Sequence, residues 1–283
     1  MQPIFVGDVQ GCADELEEIL ARGDQEFGSG WVLWLVGDLV NRGPANVRVL
    51  ERVRERVDQG RAHLVLGNHD LAFLRAYHGL AEPGPRDTLR ELLDHPAAGD
   101  WAEWLRHQPL VASGEVGSRS FLMVHASLDP SWSLREARLQ IERVEAELGH
   151  AEIGRCLALL QRDGPLTPEA RLLGRVTRCR SVGPADEWSA SVPDAAIGQV
   201  AWHERWSECE HDYGVVYGHW ALQGLHVAAG LRGLDTGCVH HGRDHDGFLT
   251  AWVPDPHAPD PFAVSQTRFW QVRARRRYYP VAS

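Results

Sequence analysis

Hydrophobic residues occur along the chain in short β-type runs separated by stretches with helical periodicity. The first three runs cover 4–6, 31–36 and 63–66, and amphipathic patterns at 13–21 and 46–57 lie between them. Short apolar runs favour strands, whereas apolar positions three and four residues apart favour helices. The order therefore predicts βαβ units in a parallel sheet, whose loops gather at the carboxyl ends of the strands.

Later segments continue this mixture of strands and helices. Further β-type runs lie at 121–124, 214–217, 225–229, 248–253 and 269–272. Helical patterns dominate 71–108 and 134–180, which predicts helical inserts. The stretch 181–196 is rich in Ser, Pro, Ala and Gly and shows little periodicity, so we expect an exposed loop there. Residues 1–283 as a whole are expected to form a single α/β domain.

Composition excludes several classes of protein. All 29 basic residues are arginines, so the chain has no Walker A lysine and no Schiff-base lysine. A net charge of −10 argues against a broad basic face for nucleic acid and leaves only local recognition of phosphate. No apolar run approaches the roughly 20 residues of a membrane helix, so no membrane association is expected.

The cysteines and the first residues bear on the compartment. Five cysteines are scattered, without a Cys-x-x-Cys pair, and the first residues lead straight into a predicted strand without the features of an export signal. The simplest interpretation is a reduced, cytoplasmic protein.

Polar blocks follow five of the predicted strands. They are G-D-V-Q-G at 7–11, G-D-L-V-N-R-G at 37–43, G-N-H-D at 67–70, H-A-S at 125–127 and G-H-W at 218–220. Blocks at successive strand ends converge on one crevice. Two divalent metal ions roughly 3.5–4 Å apart need a bridging carboxylate and further oxygen or imidazole ligands, which these blocks supply. The sequence therefore predicts a two-metal site.

These blocks resemble those of the phosphoprotein-phosphatase branch of the metallophosphoesterases. Within that branch, G-D-L-V-N-R-G-P, L-G-N-H-D-L and L-D-T-G-C at 234–238 are similar to segments of the symmetrical diadenosine tetraphosphatases. The resemblance implies a β-sandwich flanked by helices, and hydrolysis of diadenosine tetraphosphate into two molecules of ADP. Protein Ser/Thr phosphatases normally carry Asp where Asn41 stands and Glu where Asp70 stands, so both departures favour the dinucleotide hydrolases.

The resemblance also implies a set of metal ligands. Asp8 would bind the first metal ion and Asp38 would bridge the two. Asn68, His125 and His219 would complete the second.

Gln10 departs from the pattern of the broader family, which usually has a histidine ligand at this position. A glutamine carbonyl is a weaker, neutral oxygen donor. We expect Gln10 to bind the first metal ion in an active enzyme with altered metal preference. Mn or Co is the expected cofactor, with Fe, Zn or Mg as alternatives.

The implied reaction is in-line attack by a metal-bridging hydroxide on an inner phosphorus, with ADP as the leaving group. His69 is the candidate acid that protonates the leaving oxygen, a role that suits an imidazole. Asp70 or Asn41 would orient its ring. Arg42 would clamp phosphate through its planar guanidinium.

Two further arginines and two aromatic positions are candidates for substrate contacts. Arg178 resembles the family's second phosphate-binding arginine, with Arg175 as a weaker candidate. Trp220 and the region of His240 are the best placed to stack on a base. The segment 240–246 looks like an exposed hairpin loop rather than another metal site.

Two other functions remain open from the sequence. One is a protein Ser/Thr phosphatase of the same fold. The other is a non-catalytic nucleotide-binding relative that lost its first metal ion through Gln10. Nucleoside-tetraphosphate caps at RNA 5′ ends are alternative substrates that the sequence does not rank against a free dinucleoside polyphosphate.

Overall fold

The computed structural model describes residues 1–162, 165–242, 246–266 and 268–278. Its strands are β1 Gln2–Val6, β2 Trp31–Leu35, β3 Ala62–Leu64, β4 Val111–Val116, β5 Arg119–Val124, β6 Ser181–Val182, β7 Trp188–Ser189, β8 Val200–Ala201, β9 Tyr213–Tyr217, β10 His226–Ala228, β11 Leu231–Gly233, β12 Asp235–Thr236, β13 Phe248–Trp252 and β14 Phe269–Arg273. Its α-helices are α1 Ala13–Phe27, α2 Asn46–Asp58, α3 Asn68–Tyr77, α4 Arg90–Leu93, α5 Ala98–Arg106, α6 Leu134–Leu148, α7 Ile153–Leu160, α8 Pro168–Arg178 and α9 Trp202–Ser207.

The first sheet has the order β12-β13-β1-β2-β3, with β14 paired to the other edge of β13. Strands β1, β2 and β3 are parallel, as the βαβ pattern predicts. Their carboxyl ends therefore open on the same edge of the sheet. The blocks that follow these strands are brought together there.

The second sheet has the order β10-β11-β9-β5-β4 and packs face to face on the first. Aromatic side chains fill the space between them, where the Phe121 ring lies 4.9 Å from that of Phe5 and 5.0 Å from that of Trp34. These residues belong to one buried cluster with members from both sheets. The expected sandwich of two sheets is confirmed.

Helices cover the outer face of the first sheet because side chains alternate along each strand. In β2, Trp34 points into the sandwich, whereas Leu33 and Leu35 join a cluster with Leu16 of α1 and Val53 of α2. Strands buried on both faces read as continuous apolar runs, which is why β2 has no polar position.

The remaining long helices form two packed groups, α3 with α5 and α6 with α7 and α8. Buried arginines join them: Arg75 donates to the carbonyl of Leu160 at 3.0 Å, and Arg106 donates to those of Leu148 and His150. These carbonyls lie at or beyond helix ends, where the backbone has no intrahelical partner. In the described part of the chain, no helix combines the length and the apolar character that crossing a bilayer requires.

The segment 181–196, expected to be an exposed loop, is mostly exposed but also contains the short strands β6 and β7. Strand β6 pairs with β7 and β8, so this segment contributes to a small three-stranded sheet. Each strand has only two residues, which is too short for periodicity to reveal. Strands β4 and β11 and helix α9 were also absent from the sequence prediction, because glycine, polar residues or brevity obscure their patterns.

Candidate active site

Strained backbone marks the loops at the carboxyl edge of the first sheet. Among the described residues, six non-glycine positions have positive φ. Four of them lie in these loops, after β1 and β2, and a fifth follows β9 of the second sheet. They are Gln10 (46°), Asp38 (51°), Asn41 (78°), Arg42 (69°) and His219 (70°). Such conformations cost of order 1–3 kcal/mol each and persist where the surrounding structure holds them. Clustering of this kind is typical of functional sites.

Two glycines let the loops close on the carboxylates. A Cβ atom on Gly67 would collide with the carboxylate of Asp38, and one on Gly218 would collide with that of Asp8. The glycines next to the predicted ligands are therefore required by close approach of neighbouring loops.

Three of the predicted metal ligands form a buried cluster. Asp8, Asp38 and His125 each offer an atom within 4.8 Å of the others. Their residues are 4%, 1% and 0% exposed, and Asp38 Oδ1 lies 3.4 Å from His125 Nε2. Buried carboxylates need a compensating cation or proton, so the cluster is suited to divalent metal ions.

In each of two histidines, one ring nitrogen donates to a backbone carbonyl, and the other nitrogen keeps a lone pair for this cluster. His125 Nδ1 donates to the carbonyl of Val36 at 2.9 Å, so Nε2 faces Asp38 with a free lone pair. His219 Nε2 donates to the carbonyl of Arg178 at 3.0 Å, so Nδ1 is left as its acceptor nitrogen. Metal-binding histidines are fixed in their tautomer by such second hydrogen bonds.

The side chain of Asn68 lies between these two histidines. Its Oδ1 is 3.3 Å from His125 Nε2. The same end of the amide is 2.7 Å from His219 Nδ1 and 3.1 Å from the Thr177 carbonyl. Rotating the amide makes Nδ2 the donor to both of these atoms. If Oδ1 of Asn68 occupies this position instead, its lone pairs meet those of His125 Nε2 and His219 Nδ1. A divalent cation bound between the three atoms stabilises that arrangement.

Gln10 reaches the same cluster. Its Nε2 donates to Asp38 Oδ2 at 3.2 Å, and its residue is 5% exposed. The structure thus brings together all six predicted metal ligands. Their mixed carboxylate, amide and imidazole donors fit two divalent ions of the borderline class.

Burial and mutual repulsion disturb the carboxylates of the site. Burial, together with Asp235 and Asp38, raises the pKa of Asp8 well above its ordinary value. Burial also raises the pKa of Asp235 to about 7. For Asp38, burial acts in the same direction but is outweighed by His125 and His69, so its pKa is lowered. The site holds more negative charge than its own side chains neutralise, which favours cation binding.

His69 contacts Asn41 rather than Asp70. Asn41 Nδ2 donates to His69 Nδ1 at 2.9 Å and to Asp87 Oδ1 at 2.9 Å. The orientation of the amide is fixed, because Asn41 Oδ1 accepts from the backbone N–H groups of Arg42 and Thr88. His69 Nδ1 is therefore an acceptor, and the proton of the neutral ring is on Nε2, 4.0 Å from Asp38 Oδ2.

Asp70 was predicted to orient the His69 ring, but its carboxylate is bound elsewhere. Its fully buried carboxylate accepts from the backbone N–H groups of Gly67, Asp38 and Leu39, each at 2.9 Å. Burial and the charge of Asp38 raise its pKa to about 7. Asp70 thus fixes the loops that present the ligands, and no hydrogen bond to the His69 imidazole is found.

A cleft of about 670 Å³ opens on the cluster. Gln10, Asp38, Asn68, His69 and His219 line it, together with Asp235. Four of the six predicted ligands are therefore accessible to a substrate from one side.

The walls of the cleft combine positive charge and apolar surface. Arg86 and Arg180 supply guanidinium groups, and Trp220, Leu222 and Val192 supply apolar surface. Leu222 is 82% exposed and Val192 is 52% exposed, which is unusual for large apolar side chains. The cleft suits a ligand with both phosphate and an aromatic group.

The predicted phosphate-binding arginines are placed differently from one another. Arg42 forms an ion pair with Asp87 at 3.2 Å beside His69. Arg175 does not line the cleft, because the Asp129 carboxylate and the Asp186 carbonyl bind its guanidinium. The expectation that Arg175 contacts substrate is not supported by this placement.

Arg178 also points away from the cleft. Its guanidinium lies over the Trp188 ring at 5.6 Å, while its backbone carbonyl holds His219. Arg180, two residues later, is the arginine of this segment that lines the cleft. The R-x-R spacing was visible in the sequence, but the direction of each side chain depends on where α8 ends.

Sequence reasoning also missed Asp235, Asp87 and Arg86. Asp235 lies in the L-D-T-G-C segment and was available as a signal. Asp87 and Arg86 lie within the predicted helical insert 71–108, in the connection between α3 and α4. In the loop at 240–246, His240 lines the cleft, while residues 243–245 lie outside the described part of the chain.

Comparisons with known proteins identify the family of this chain. A model of the calcineurin-like phosphoesterase family matches residues 1–163, more than half of the chain. Two crystal structures share the fold. A candidate diadenosine tetraphosphatase has a TM-score of 0.62 at 24% identity over 96% of this chain and 93% of its own. A cold-active protein-tyrosine phosphatase of a psychrophilic Shewanella has a TM-score of 0.52 at 17% identity over 89% and 75%. Fold and site together define a metallophosphoesterase.

Curated relatives narrow the class. A symmetrical bis(5′-nucleosyl)-tetraphosphatase of Escherichia coli is 36% identical over 86% of this chain and 90% of its own length. One of Yersinia pestis is 35% identical over 89% of each chain. The chain belongs to the calcineurin-like phosphoesterase family and, within it, to the group of symmetrical bis(5′-nucleosyl)-tetraphosphatases. The predicted family and hydrolase class are confirmed.

Proposed function

We propose that this protein hydrolyses diadenosine tetraphosphate symmetrically into two molecules of ADP. The observation that carries the proposal is the orientation of His125 and His219, whose rear hydrogen bonds leave one lone pair each toward Asp38 and Asn68. Such an arrangement prepares a metal site beside a cleft with phosphate-binding arginines. The names of the relatives supply the substrate class.

Two divalent ions would be held by the six ligands, with Asp38 between them. When bound, they would supply a hydroxide nucleophile at neutral pH and neutralise charge on the phosphoryl oxygens. Manganese or cobalt suits the mixed donors, and the amide at Gln10 makes the first position the weaker of the two.

His69 supports departure of ADP as a hydrogen-bond donor. Asn41 keeps Nδ1 unprotonated, so Nε2 carries the proton that faces the cleft. Burial, with Arg42 acting in the same direction and Asp38 opposing, lowers the pKa of His69 and favours this neutral form. A leaving phosphate with a pKa of about 6 needs little protonation at neutral pH. A neutral donor is therefore sufficient for an anhydride, whereas an alkoxide leaving group would require the stronger imidazolium acid.

The walls of the cleft would position the substrate. Arg86 and Arg180 provide planar donors for the polyphosphate chain, and Arg42, paired with Asp87 beside His69, would add a third. Trp220 would stack on one adenine, flanked by the exposed Leu222. Binding one nucleoside on this wall would place the inner phosphates over the ligands, which favours the symmetric cut.

The whole chain acts as one domain, because strands and helices from residues 4 to 274 contribute to one buried cluster. The protein is proposed to work in the cytoplasm, because its five free cysteines suit a reducing compartment. Nucleoside-tetraphosphate caps on RNA present the same linkage and are candidate substrates.

The test is hydrolysis of diadenosine tetraphosphate by purified protein with Mn or Co, with products separated by chromatography. ADP is expected as the sole nucleotide product. Asp38→Asn should lower kcat by on the order of 10³-fold, because the bridging position loses its charge. Asp58→Asn, at an exposed helix end, is the matched control and should leave turnover unchanged.

Other products would redirect the proposal. ATP plus AMP would show attack at an outer phosphorus and would overturn the symmetric placement. Release of phosphate from phosphopeptides without dinucleotide turnover would make the protein a phosphatase of the same fold. Nucleotide binding without any turnover would make it a non-catalytic relative.

A further inference from the structure

A second cluster of ligand-type side chains lies behind the loops of the active site. Cys12, Glu15 and Cys238 each offer an atom within 4.8 Å of the others. Cys12 and Glu15 are 0% exposed, and Cys238 is 2% exposed. The metallophosphoesterase chemistry described above uses none of these three side chains.

Glu15 is the unusual member of the cluster. Its Oε1 accepts from the hydroxyl of Tyr278 at 2.5 Å and from the backbone N–H of Arg275 at 2.7 Å. Its Oε2 is buried and has no hydrogen-bond partner in the described part of the chain. A buried carboxylate oxygen without a partner is costly, and a bound cation would remove that cost.

The donor set selects the kind of cation. Two cysteine sulfurs favour thiophilic ions, and a carboxylate with sulfur ligands is compatible with zinc. The Tyr278 hydroxyl, which is hydrogen-bonded to Glu15, supplies a further oxygen at the cluster. We propose that Cys12, Glu15 and Cys238 form a structural zinc site, with Tyr278 or water as the fourth ligand.

The positions of the ligands give this site a defined effect. Cys12 immediately precedes α1 and follows Gln10 by two residues, and Cys238 follows Asp235 by three. Glu15 contacts the carboxyl-terminal segment through Arg275 and Tyr278. A bound zinc ion would tie together α1, the turn that begins at Cys238 and the end of the described chain. It would fix the loop that carries Gln10 and the loop that carries Asp235.

Binding would release protons, since thiols coordinate zinc as thiolates. Two thiolates and a carboxylate carry one more negative charge than zinc neutralises. The basic run that follows Ala274 lies close by, with the Arg276 guanidinium 5.5 Å from the Tyr278 ring. This charge arrangement favours the zinc complex over an anionic cluster without metal.

Cobalt titration tests the proposal, because thiolate ligands give Co²⁺ a near-ultraviolet charge-transfer band that carboxylate, amide and imidazole ligands do not. The full chain, reduced and stripped with a chelator, is titrated with Co²⁺ and then with Zn²⁺. The band is expected to saturate within three equivalents of cobalt, because the active site also binds the ion, and zinc is expected to abolish it. Cys12→Ser and Cys238→Ser should each remove it. Cys156→Ser, which changes a buried cysteine outside the cluster, should keep it.

Several outcomes would overturn the proposal. These are a wild-type protein without a thiolate band, a band that survives both cluster substitutions, and a Cys12–Cys238 disulfide formed in air without metal uptake. If a serine variant does not fold, zinc content of the Asp38→Asn protein by native mass spectrometry decides. One retained zinc ion that is lost in Glu15→Gln supports the site, and none retained excludes it.

Discussion

Asn41 donates its side-chain amide to His69 Nδ1 across 2.9 Å, and two backbone N–H groups prevent that amide from turning over. The polarity of this one hydrogen bond sets the protonation state of the ring. An acidic residue at position 41 would accept instead of donate and would stabilise the imidazolium form.

We therefore expect Asn41→Asp to change which leaving groups the enzyme handles. The variant should raise the pKa of His69, so the acid form persists to higher pH. Hydrolysis of a phosphomonoester with a poor leaving group should improve about tenfold or more relative to the dinucleotide. For the phosphomonoester, whose cleavage needs the imidazolium form, the alkaline limit of the pH–rate profile should move to higher pH. Asn41→Ala, which removes the partner without adding charge, is the control. Equal changes for both substrates would contradict this role.

Gln10→His should strengthen binding of the first metal ion. An imidazole nitrogen is a better ligand for Mn, Co or Zn than a glutamine carbonyl. Histidine also tolerates the positive φ of 46° at this position better than most residues. Metal titration by calorimetry should show tighter binding of one of the two ions, by about tenfold. Gln10→Ala should weaken the same ion. If both variants bind like the parent, Gln10 does not contact the metal.

Gly67→Ala should disrupt the site, because the new methyl group collides with the Asp38 carboxylate. Overpacking of this kind costs about 1–3 kcal/mol, and displacement of Asp38 should also reduce turnover strongly. Gly154→Ala is the matched control in α7, where a Cβ atom meets nothing within 4 Å. It should raise the free energy of unfolding by about 0.5–1 kcal/mol. Urea unfolding and turnover of both variants check the contrast. A fully active Gly67→Ala enzyme would show that the loops can move apart.

Asp235→Asn should stabilise the metal-free protein increasingly as pH rises. Burial raises the folded-state pKa of Asp235 to about 7, against 3.8 in the unfolded chain. The stability that this bound proton contributes to the folded state is complete below pH 3.8 and is lost as the pH rises to about 7. Removing the charge should therefore add roughly 1.4 kcal/mol of stability per pH unit between these values.

Unfolding in urea with a chelator at pH 5, 6.5 and 8 measures this difference. Asp58→Asn serves as the exposed control and should show no such trend. A gain for Asp235→Asn that is constant with pH would mean that its carboxylate does not titrate in this range.

Trp220→Ala should raise KM for diadenosine tetraphosphate with little change in kcat. Base–aromatic stacking contributes about 1–3 kcal/mol, which corresponds to a KM increase of roughly fivefold or more. Trp220→Phe should retain most of the affinity. For a small substrate without a base, such as bis(p-nitrophenyl) phosphate, both variants should resemble the parent. A loss shared by both substrates would assign Trp220 to the scaffold instead.

The order of the strands and helices and the position of the site could be predicted because their signals lie in neighbouring residues. Apolar runs and helical periods identify β1, β2, α1 and α2, and short polar blocks after strands identify the site. Both signals are carried by neighbouring residues. The resemblance of these blocks to the metallophosphoesterases named the six ligands, and the structure places their side chains close together.

The direction of side chains and the partners of charged groups depended on the tertiary structure. Arg175, Arg178 and Arg180 are equivalent as a sequence pattern, yet only Arg180 lines the cleft, because the end of α8 turns the other two toward Asp129 and Trp188.

The sequence also could not predict the hydrogen-bond partner of His69 or which distant residues lie side by side. Asp70 and Asn41 were both candidates to orient His69, and the choice depends on which one reaches its ring. Cys12 and Cys238 are 226 positions apart and adjacent in space. Sequence determined which chemical groups are present and in what order. Packing decided which of them meet, because distances across the fold depend on every element between them.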